Sequence, residues 1–273
     1  MENPQIAPAA AKAEGGSFTA FLLKLIVFVL LLRSFVFAPF SIPSESMLPR
    51  LMIGDYLIVA KWPYGFTHYS IPFSPPLWSG RIFGRDPARG DVVVFKAPPH
   101  QHQDYIKRVI GLPGDLIEVK GGQVFINGKA VPKTRIADFV EPLTDNSACK
   151  KMDVAQFRET ASDGSVRCRY PRYRETLPNG KSYEVLDLGT VPMDNTEVYS
   201  VPAGHVFLMG DNRDRSADSR FPAVEGAGIG IVPTENIVGR AWFSVFSTDG
   251  SAQWLKPWTW FGAARWNRIG KGF

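Results

Sequence analysis

Cysteine and histidine are scarce: the 273 residues contain two cysteines, Cys149 and Cys168, and four histidines, His68, His100, His102 and His205. That excludes a disulfide-dense mini-fold and a zinc site built from four thiolates, and it leaves little for metal chemistry. His100-Gln101-His102 looks like part of a metal site but fits strand alternation or a solvated loop better, so no metal and no cofactor is expected. Excess charge of one sign is also lacking, because 31 Lys plus Arg against 26 Asp plus Glu leaves only +5. The bases are scattered, with no block of the kind that a nucleic-acid-binding tail carries. Neither a G-x-S-x-G elbow nor an H-E-x-x-H helix is present. The one S-x-x-K, from Ser147 to Lys150, lies in a polar stretch without the S-D-N or K-T-G boxes that accompany it in β-lactamase-type sites, and reads as a chance match. With 45% apolar and 21% charged residues, the bulk of the chain is neither disordered, collagen-like nor coiled coil.

What the chain does have is one long apolar run, Phe18 to Phe40, interrupted only by Lys24 and Arg33. At about 1.5 Å per residue it would reach roughly 34 Å, enough for a bilayer core of ~30 Å. Each charge lies about 10 Å from its own end, within snorkelling reach of the headgroups. The reading is a transmembrane anchor over residues 17–40, preceded by a disordered tail over 1–16. Val36-Phe37-Ala38 resembles the cleavage site of a removable signal peptide, but Arg33 interrupts the apolar region and Pro39 would follow the cut. A buried soluble helix fits worse, since the run has no polar stripe. Lys12 and Lys24 balance Arg33 and Arg50, so the positive-inside count leaves orientation open.

Beyond the anchor, short runs rich in β-branched and aromatic residues recur between Gly, Pro and Asp, as in DYLIVAK from Asp55, DVVVFKA from Asp91 and NIVGRAWFSVF from Asn236. Asn127-Gly128 and Asn179-Gly180 are type I′ hairpin signals. No long amphipathic helix follows. The expected fold is mainly β and antiparallel, in several small sheets, preceded by one N-terminal transmembrane helix. Residues 119–200 turn more polar and hold both cysteines. They read as an inserted β-rich subdomain, with 41–118 and 201–273 as the core that carries chemistry. A Cys149–Cys168 disulfide in an oxidising compartment would contribute ~3 kcal/mol in the chain-entropy picture.

Three segments stand out. The first is Ser41-Ile42-Pro43-Ser44-Glu45-Ser46-Met47-Leu48-Pro49-Arg50-Leu51, right after the apolar run, where the prolines hold an extended, stiff loop. In the second, Asp104-Tyr105-Ile106-Lys107-Arg108-Val109, a lysine sits on a strand between apolar residues. The third, Gly210-Asp211-Asn212-Arg213-Asp214-Arg215-Ser216-Ala217-Asp218-Ser219-Arg220, follows a strand. Together with Arg89-Gly90-Asp91-Val92, the order of these boxes and the anchor position, the chain resembles the type I bacterial signal peptidases, membrane-bound Ser/Lys proteases. The resemblance covers most of the chain and is weak in the insertion and the C-terminal tail.

The resemblance implies a signal-peptidase-like catalytic domain in which Ser46 is the nucleophile and Lys107 the general base. It further implies that Ser44 lends its hydroxyl, with the Ser46 N–H, to the oxyanion hole and that Ser216 orients the Lys107 amine. Asp218 and Arg220 become a structural ion pair, taken as partly exposed, with Asp211 and Arg108 as supporting groups. Phe40, Ile42, Met47, Leu51, Tyr105 and Ile106 become the pocket for small side chains before the cut. One departure is Arg50, where the family usually has Thr. The partners implied are signal-peptide-bearing preproteins and the phospholipid bilayer, at the bacterial inner membrane, with the catalytic domain on the periplasmic side.

The chemistry also stands on its own physics. A lysine of ordinary pKa ~10.4 is charged at neutral pH and cannot accept a serine proton. Bringing it to ~8 takes ~3 kcal/mol of differential destabilisation of the ammonium, which apolar surroundings supply. In the tail, Trp254, Trp258, Trp260, Phe261 and Trp266 interleave with bases, which suits a membrane interface as well as packing on the β domain. Two other readings fit the residues: a narrow-duty Ser/Lys protease of the same fold, and a catalytically dead tethered domain that binds exported chains.

Overall fold

The computed structural model describes residues 18–253 and 255–273, so the expected N-terminal tail and Trp254 lie outside the described residues. Helix α1 (Phe18–Leu31) runs into a wider π-type turn, Leu32–Val36. The helical segment Phe18–Val36 is almost entirely exposed and apolar. Its nineteen residues would span roughly 28 Å at about 1.5 Å per residue. The helix therefore stops short of the expected Phe40. Pro39 cannot donate to a helical ladder, and Phe37–Ser41 joins a sheet as an edge strand, where a proline costs little.

The strands are, in chain order, β1 (Phe37–Ser41), β2 (Asp55–Ala60), β3 (Val92–Lys96), β4 (Asp104–Gly111), β5 (Leu116–Lys120), β6 (Gln123–Ile126), β7 (Lys129–Ala130), β8 (Lys133–Pro142), β9 (Arg158–Thr160), β10 (Val166–Thr176), β11 (Ser182–Leu186), β12 (Tyr199–Ser200), β13 (His205–Met209), β14 (Val232–Pro233) and β15 (Ile237–Ser247). The main antiparallel sheet runs β1-β2-β15-β3-β4-β13-β14. Two smaller sheets, β12-β5-β6-β7 and β11-β10-β8 with β9 beside β10, come largely from the insertion. One short α-helix, α2 (Trp258–Ala263), follows among the described residues, beside several 3-10 turns. The architecture is mainly β, as the strand-like runs imply.

Both Asn-Gly pairs turn a hairpin, by different geometry. Asn127 and Gly128 both have positive φ (52° and 76°), as a type I′ turn needs. At the second pair only Gly180 is left-handed, with φ 82°. Pro178 fixes a negative φ one residue earlier, so the turn closes through Gly180 N–H to the Leu177 carbonyl (2.8 Å) and Leu177 N–H to the Lys181 carbonyl (3.0 Å). The insertion has no independent core on this side: Val119, Val124, Ile126, Leu177 and Val185 share one cluster with Ile110, Phe207 and Met209 of the main sheet. On the other side Cys149 and Cys168 form a disulfide, Cα–Cα 6.0 Å, which packs with Tyr170 and Leu186 against Leu48 and Met52 of the serine loop. The insertion thus buttresses the segment expected to carry the nucleophile.

Candidate active site

Lys107 and Ser46 meet because two features of the main sheet converge. Strand β4 holds Lys107 opposite Val93 of β3, while β13 pairs only with the far half of β4, from Arg108 to Gly111. Residues 104–107 keep one open edge. Residues 42–54 loop out from the end of β1 and return, closed at the base by Ile42 N–H to the Asp55 carbonyl (2.8 Å) and Gly54 N–H to the Ile42 carbonyl (2.9 Å). The loop delivers Ser46 to the open half of β4. Lys107 Nζ donates to Ser46 Oγ at 2.7 Å and to its neighbour's carbonyl, Ile106 O, at 3.0 Å. Ser44 Oγ lies 3.3 Å from Ser46 Oγ.

The lysine and both partners of its main bond are buried. Burial strips water from the ammonium and brings the Lys107 pKa from 10.5 down to about 8, with the Asp218 and Asp211 carboxylates opposing part of that drop. At neutral pH a usable fraction of the amine is then neutral, able to accept the hydroxyl proton across the same 2.7 Å contact.

A cleft of about 500 Å³ opens from this pair, walled by Phe40, Ile42, Tyr105, Ile106, Val94 and Ala217. Met47 and Leu51, expected beside them, do not line it. Both are fully buried in the cluster with Leu57, Val59, Val92 and Val238. The backbone turns at Glu45–Leu48 (Leu48 N–H to the Glu45 carbonyl, 3.0 Å), so Ser46 faces the cleft and Met47 anchors the loop from beneath. Spacing alone did not reveal that reversal. Arg50 is spent on the C-terminus, contacting the Gly272 carbonyl and the Phe273 ring, away from the dyad.

The 210–220 loop is set by buried ion pairs. Arg108 grips Asp211 with two bonds, 2.7 and 2.6 Å. Arg220 grips Asp218 with two more, both 2.9 Å. The second pair was expected to be partly exposed, but both residues are buried and Asp218 also accepts the Gly210 N–H at 3.1 Å. It therefore cannot be weighed as a surface bridge: removing one partner would strand a buried charge, a loss of several kcal/mol, about 3–5 in comparable cases. Sequence reasoning missed a third pair. Arg213 binds Glu175 of β10 at 2.7 and 2.6 Å, and the Tyr183 hydroxyl completes the cluster. Glu175 lies in the insertion, 38 residues away in sequence, and nothing local marks it.

Ser216 differs from expectation as well. Its hydroxyl is buried and is not bonded to Lys107; it is turned toward the Asp218 carboxylate, which it helps to hold ionised. Two other residues of this loop shape the site without having been singled out. Asn212 donates its N–H to the Ser46 carbonyl (3.1 Å) and its amide to the Glu45 carbonyl (3.2 Å), fixing the backbone around Ser46. Gly210 lies so close that a Cβ there would fall 2.2 Å from Ser216 Oγ and 2.5 Å from the Ser46 carbonyl. The G-D-N-R run was the signal, legible as a motif but not as this packing.

A serine hydroxyl bonded to a buried lysine amine at the end of an apolar cleft, on a β scaffold behind an apolar helix, places the chain among the serine peptidases that work without histidine. Comparison with known proteins narrows the class. The family model described as "Signal peptidase, peptidase S26" matches residues 16–246. Signal peptidase I of Rickettsia prowazekii is 37% identical over 246 residues, covering 87% of this chain and 81% of that protein. Signal peptidase I of Rickettsia conorii is 36% identical over 280 residues, covering 95% and 92%. The chain belongs to the signal peptidase family, peptidase S26. A crystal structure of a signal peptidase I from Enterococcus faecalis aligns over 57% of this chain and 97% of that one at 24% identity and a TM-score of 0.30.

Proposed function

We propose that this chain is a membrane-anchored signal peptidase I that cuts exported preproteins after small residues in an Ala-x-Ala pattern, with Ser46 as nucleophile and Lys107 as general base. The 2.7 Å contact between Lys107 Nζ and Ser46 Oγ carries the reading. With the amine neutral, the Ser46 hydroxyl donates to Nζ as Oγ attacks the scissile carbonyl. The oxyanion is met by the Ser46 N–H and the Ser44 hydroxyl, whose position 3.3 Å from Ser46 Oγ suits that task. Lys107 returns the proton to the leaving amine. It then takes a proton from the water that attacks the ester-linked acyl-enzyme and passes it to the departing Ser46 Oγ, which restores the hydroxyl.

An extended substrate fits between the open edge of residues 104–106 and the strand leading into Ser44, adding main-chain hydrogen bonds to an unpaired edge. The apolar walls from Phe40, Ile42, Tyr105 and Ile106 select small side chains chiefly by excluding large ones, since one methylene is worth only ~1–3 kcal/mol. The exposed apolar helix Phe18–Val36 supports a single-pass anchor, and a domain facing the periplasm would meet preproteins as they emerge from the inner membrane. Exposed Trp258, Phe261 and Trp266 near the C-terminus suit a second contact with the bilayer.

The test is cleavage of an Ala-x-Ala preprotein by the full chain in detergent, wild type against Ser46→Ala, read by mass spectrometry of the new N-terminus. A single cut after the final Ala, lost in the variant, is expected. No cut, or the same cut by Ser46→Ala, would overturn the proposal.

A further inference from the structure

Between the two serines of the site sits a carboxylate that the chemistry above does not use. Glu45 is buried, and its Oε1 accepts from Arg215 at 3.1 Å and from Lys151 at 3.5 Å, while its Oε2 is buried without a hydrogen bond. Arg215 reaches in the other direction to Asp153 of the insertion, 2.6 Å away. Its side chain is about three-quarters buried, whereas the Lys151 side chain is mostly exposed. Both ends of the Arg215–Glu45 link touch the site in sequence: Glu45 separates Ser44 from Ser46, and Arg215 precedes Ser216.

A buried carboxylate needs a counter-charge or must leave. Here the counter-charge is supplied mainly by Arg215, the better buried of the two cations. Without it Glu45 would be held only by an exposed lysine at the edge of bonding distance, and its cheapest remedy is to swing into water. The backbone would follow. Because Glu45 lies one residue from Ser46, that movement would displace both the Ser46 N–H and its Oγ relative to Lys107. Asn212 restrains the carbonyls of Glu45 and Ser46 but not the Glu45 side chain.

We propose that Arg215 is a positioning residue which acts through Glu45, clamping the serine loop in its reactive register and tying that register to the insertion through Asp153. The inference rests on Ser46 being the nucleophile. It assigns the insertion a part in catalysis, although none of its described residues lines the cleft. Arg215 itself lines the cleft, so a direct contact with substrate is the rival explanation for any effect of changing it.

A double-mutant cycle separates the two. With the full chain in detergent, Arg215→Ala should lower kcat/KM roughly tenfold in the wild-type background, because it leaves a buried charge unpaired. In the Glu45→Ala background, where no charge remains to be clamped, the same change should cost less than about twofold. The rate of acylation by a small serine-directed inhibitor should follow the same pattern, and KM for the preprotein should barely move. Loosening the loop also admits water to Lys107, so the acid limb of the pH profile should shift upward in Arg215→Ala alone. Equal losses in both backgrounds, or no loss in either, would overturn the proposal. If Arg215→Ala does not fold, Arg215→Gln run through the same cycle decides by the same criteria. Failure of the underlying reading would show separately, as activity retained in Ser46→Ala.

Discussion

Two lysines in this molecule are buried to the same degree and held near the same pKa, yet only one faces a cleft. Lys107 and Lys61 are each 4% exposed, and burial lowers each from 10.5 to about 8. Around Lys107 the other charges are the carboxylates of Asp218 and Asp211, and the amine meets the hydroxyl of Ser46. Around Lys61 the Asp104 carboxylate is countered by Lys96 and Arg33, and the amine donates to the carbonyl of Ser70 at 3.2 Å. Lys61 follows β2 and its N–H bonds the Val36 carbonyl at the end of the apolar N-terminal helix. A depressed pKa alone therefore does not mark a base. What marks it is a partner with a proton to give, at the mouth of a space where substrate fits. A carbonyl has no proton, so the Lys61 amine can only anchor the 61–70 turn.

The largest contrast should be in rate. Lys107→Met is expected to lower preprotein cleavage by about a thousandfold, within the range for losing a general base, whereas Lys61→Met should stay within roughly threefold of wild type. Steady-state kinetics on the two variants checks this. A comparable collapse in Lys61→Met would break the distinction, because the anchor would then be feeding the site by a route that its contacts do not show.

The pH dependence should separate them next. Below about 8 the Lys107 amine is increasingly protonated, and kcat/KM should fall about tenfold per pH unit on the acid side. Lys61→Met should keep that limb where it is, since the titrating group is untouched. A limb that moved with Lys61 would assign the titration to the wrong amine.

Much of the site was legible because the chemistry is local in sequence. Ser46 in a proline-stiffened loop and Lys107 among apolar strand residues were paired through the family resemblance that their boxes carry, and the need for a pKa near 8 followed from what a base must do. The apolar helix and the β scaffold were legible for the same reason, as runs of one composition. What was hidden depends on direction and on distance along the chain. Phe37 and Phe40 are as apolar as the helix before them, and only Pro39 hints that the chain has become an edge strand. Met47 is one residue from Ser46 and faces the opposite way because of a turn that no residue type announces. Glu175 on β10 pairs with Arg213 of the 210–220 loop, 38 residues further along the chain. Gly210 reads as a turn residue until the proximity of Ser216 and the Ser46 carbonyl is seen.

The smallest effect is thermodynamic, and its sign tests the origin of both pKa values. The unfolded chain holds each lysine near 10.5 and the folded chain near 8, so between those values the unfolded state binds more protons and stability rises with pH. Below about 8 the penalty is fully present. For Lys107 it amounts to about 3 kcal/mol, from the difference between the two values at about 1.36 kcal/mol per pH unit. Lys107→Met, similar in length and uncharged, should remove that penalty at pH 7 while giving up hydrogen bonds worth about 1 kcal/mol each. The Ser46 hydroxyl it abandons can turn to Ser44, 3.3 Å away. A net gain of about 1–2 kcal/mol is expected, or a few degrees in Tm at roughly 2–4 °C per kcal/mol. Lys61→Met should gain less, because the Ser70 carbonyl at 3.2 Å loses the donor aimed at it and cannot turn away as a hydroxyl can. Melting both variants and wild type in detergent at pH 7 and again near pH 10 reads the sign directly. The advantage of Lys107→Met should shrink at the higher pH, because the wild-type penalty falls steadily as pH climbs from about 8 toward the unfolded value of 10.5 and only a small part of it is left near pH 10. An advantage that is absent at pH 7, or that grows with pH, would mean that burial is not what lowers the lysine, and the neutral-base chemistry would need another source.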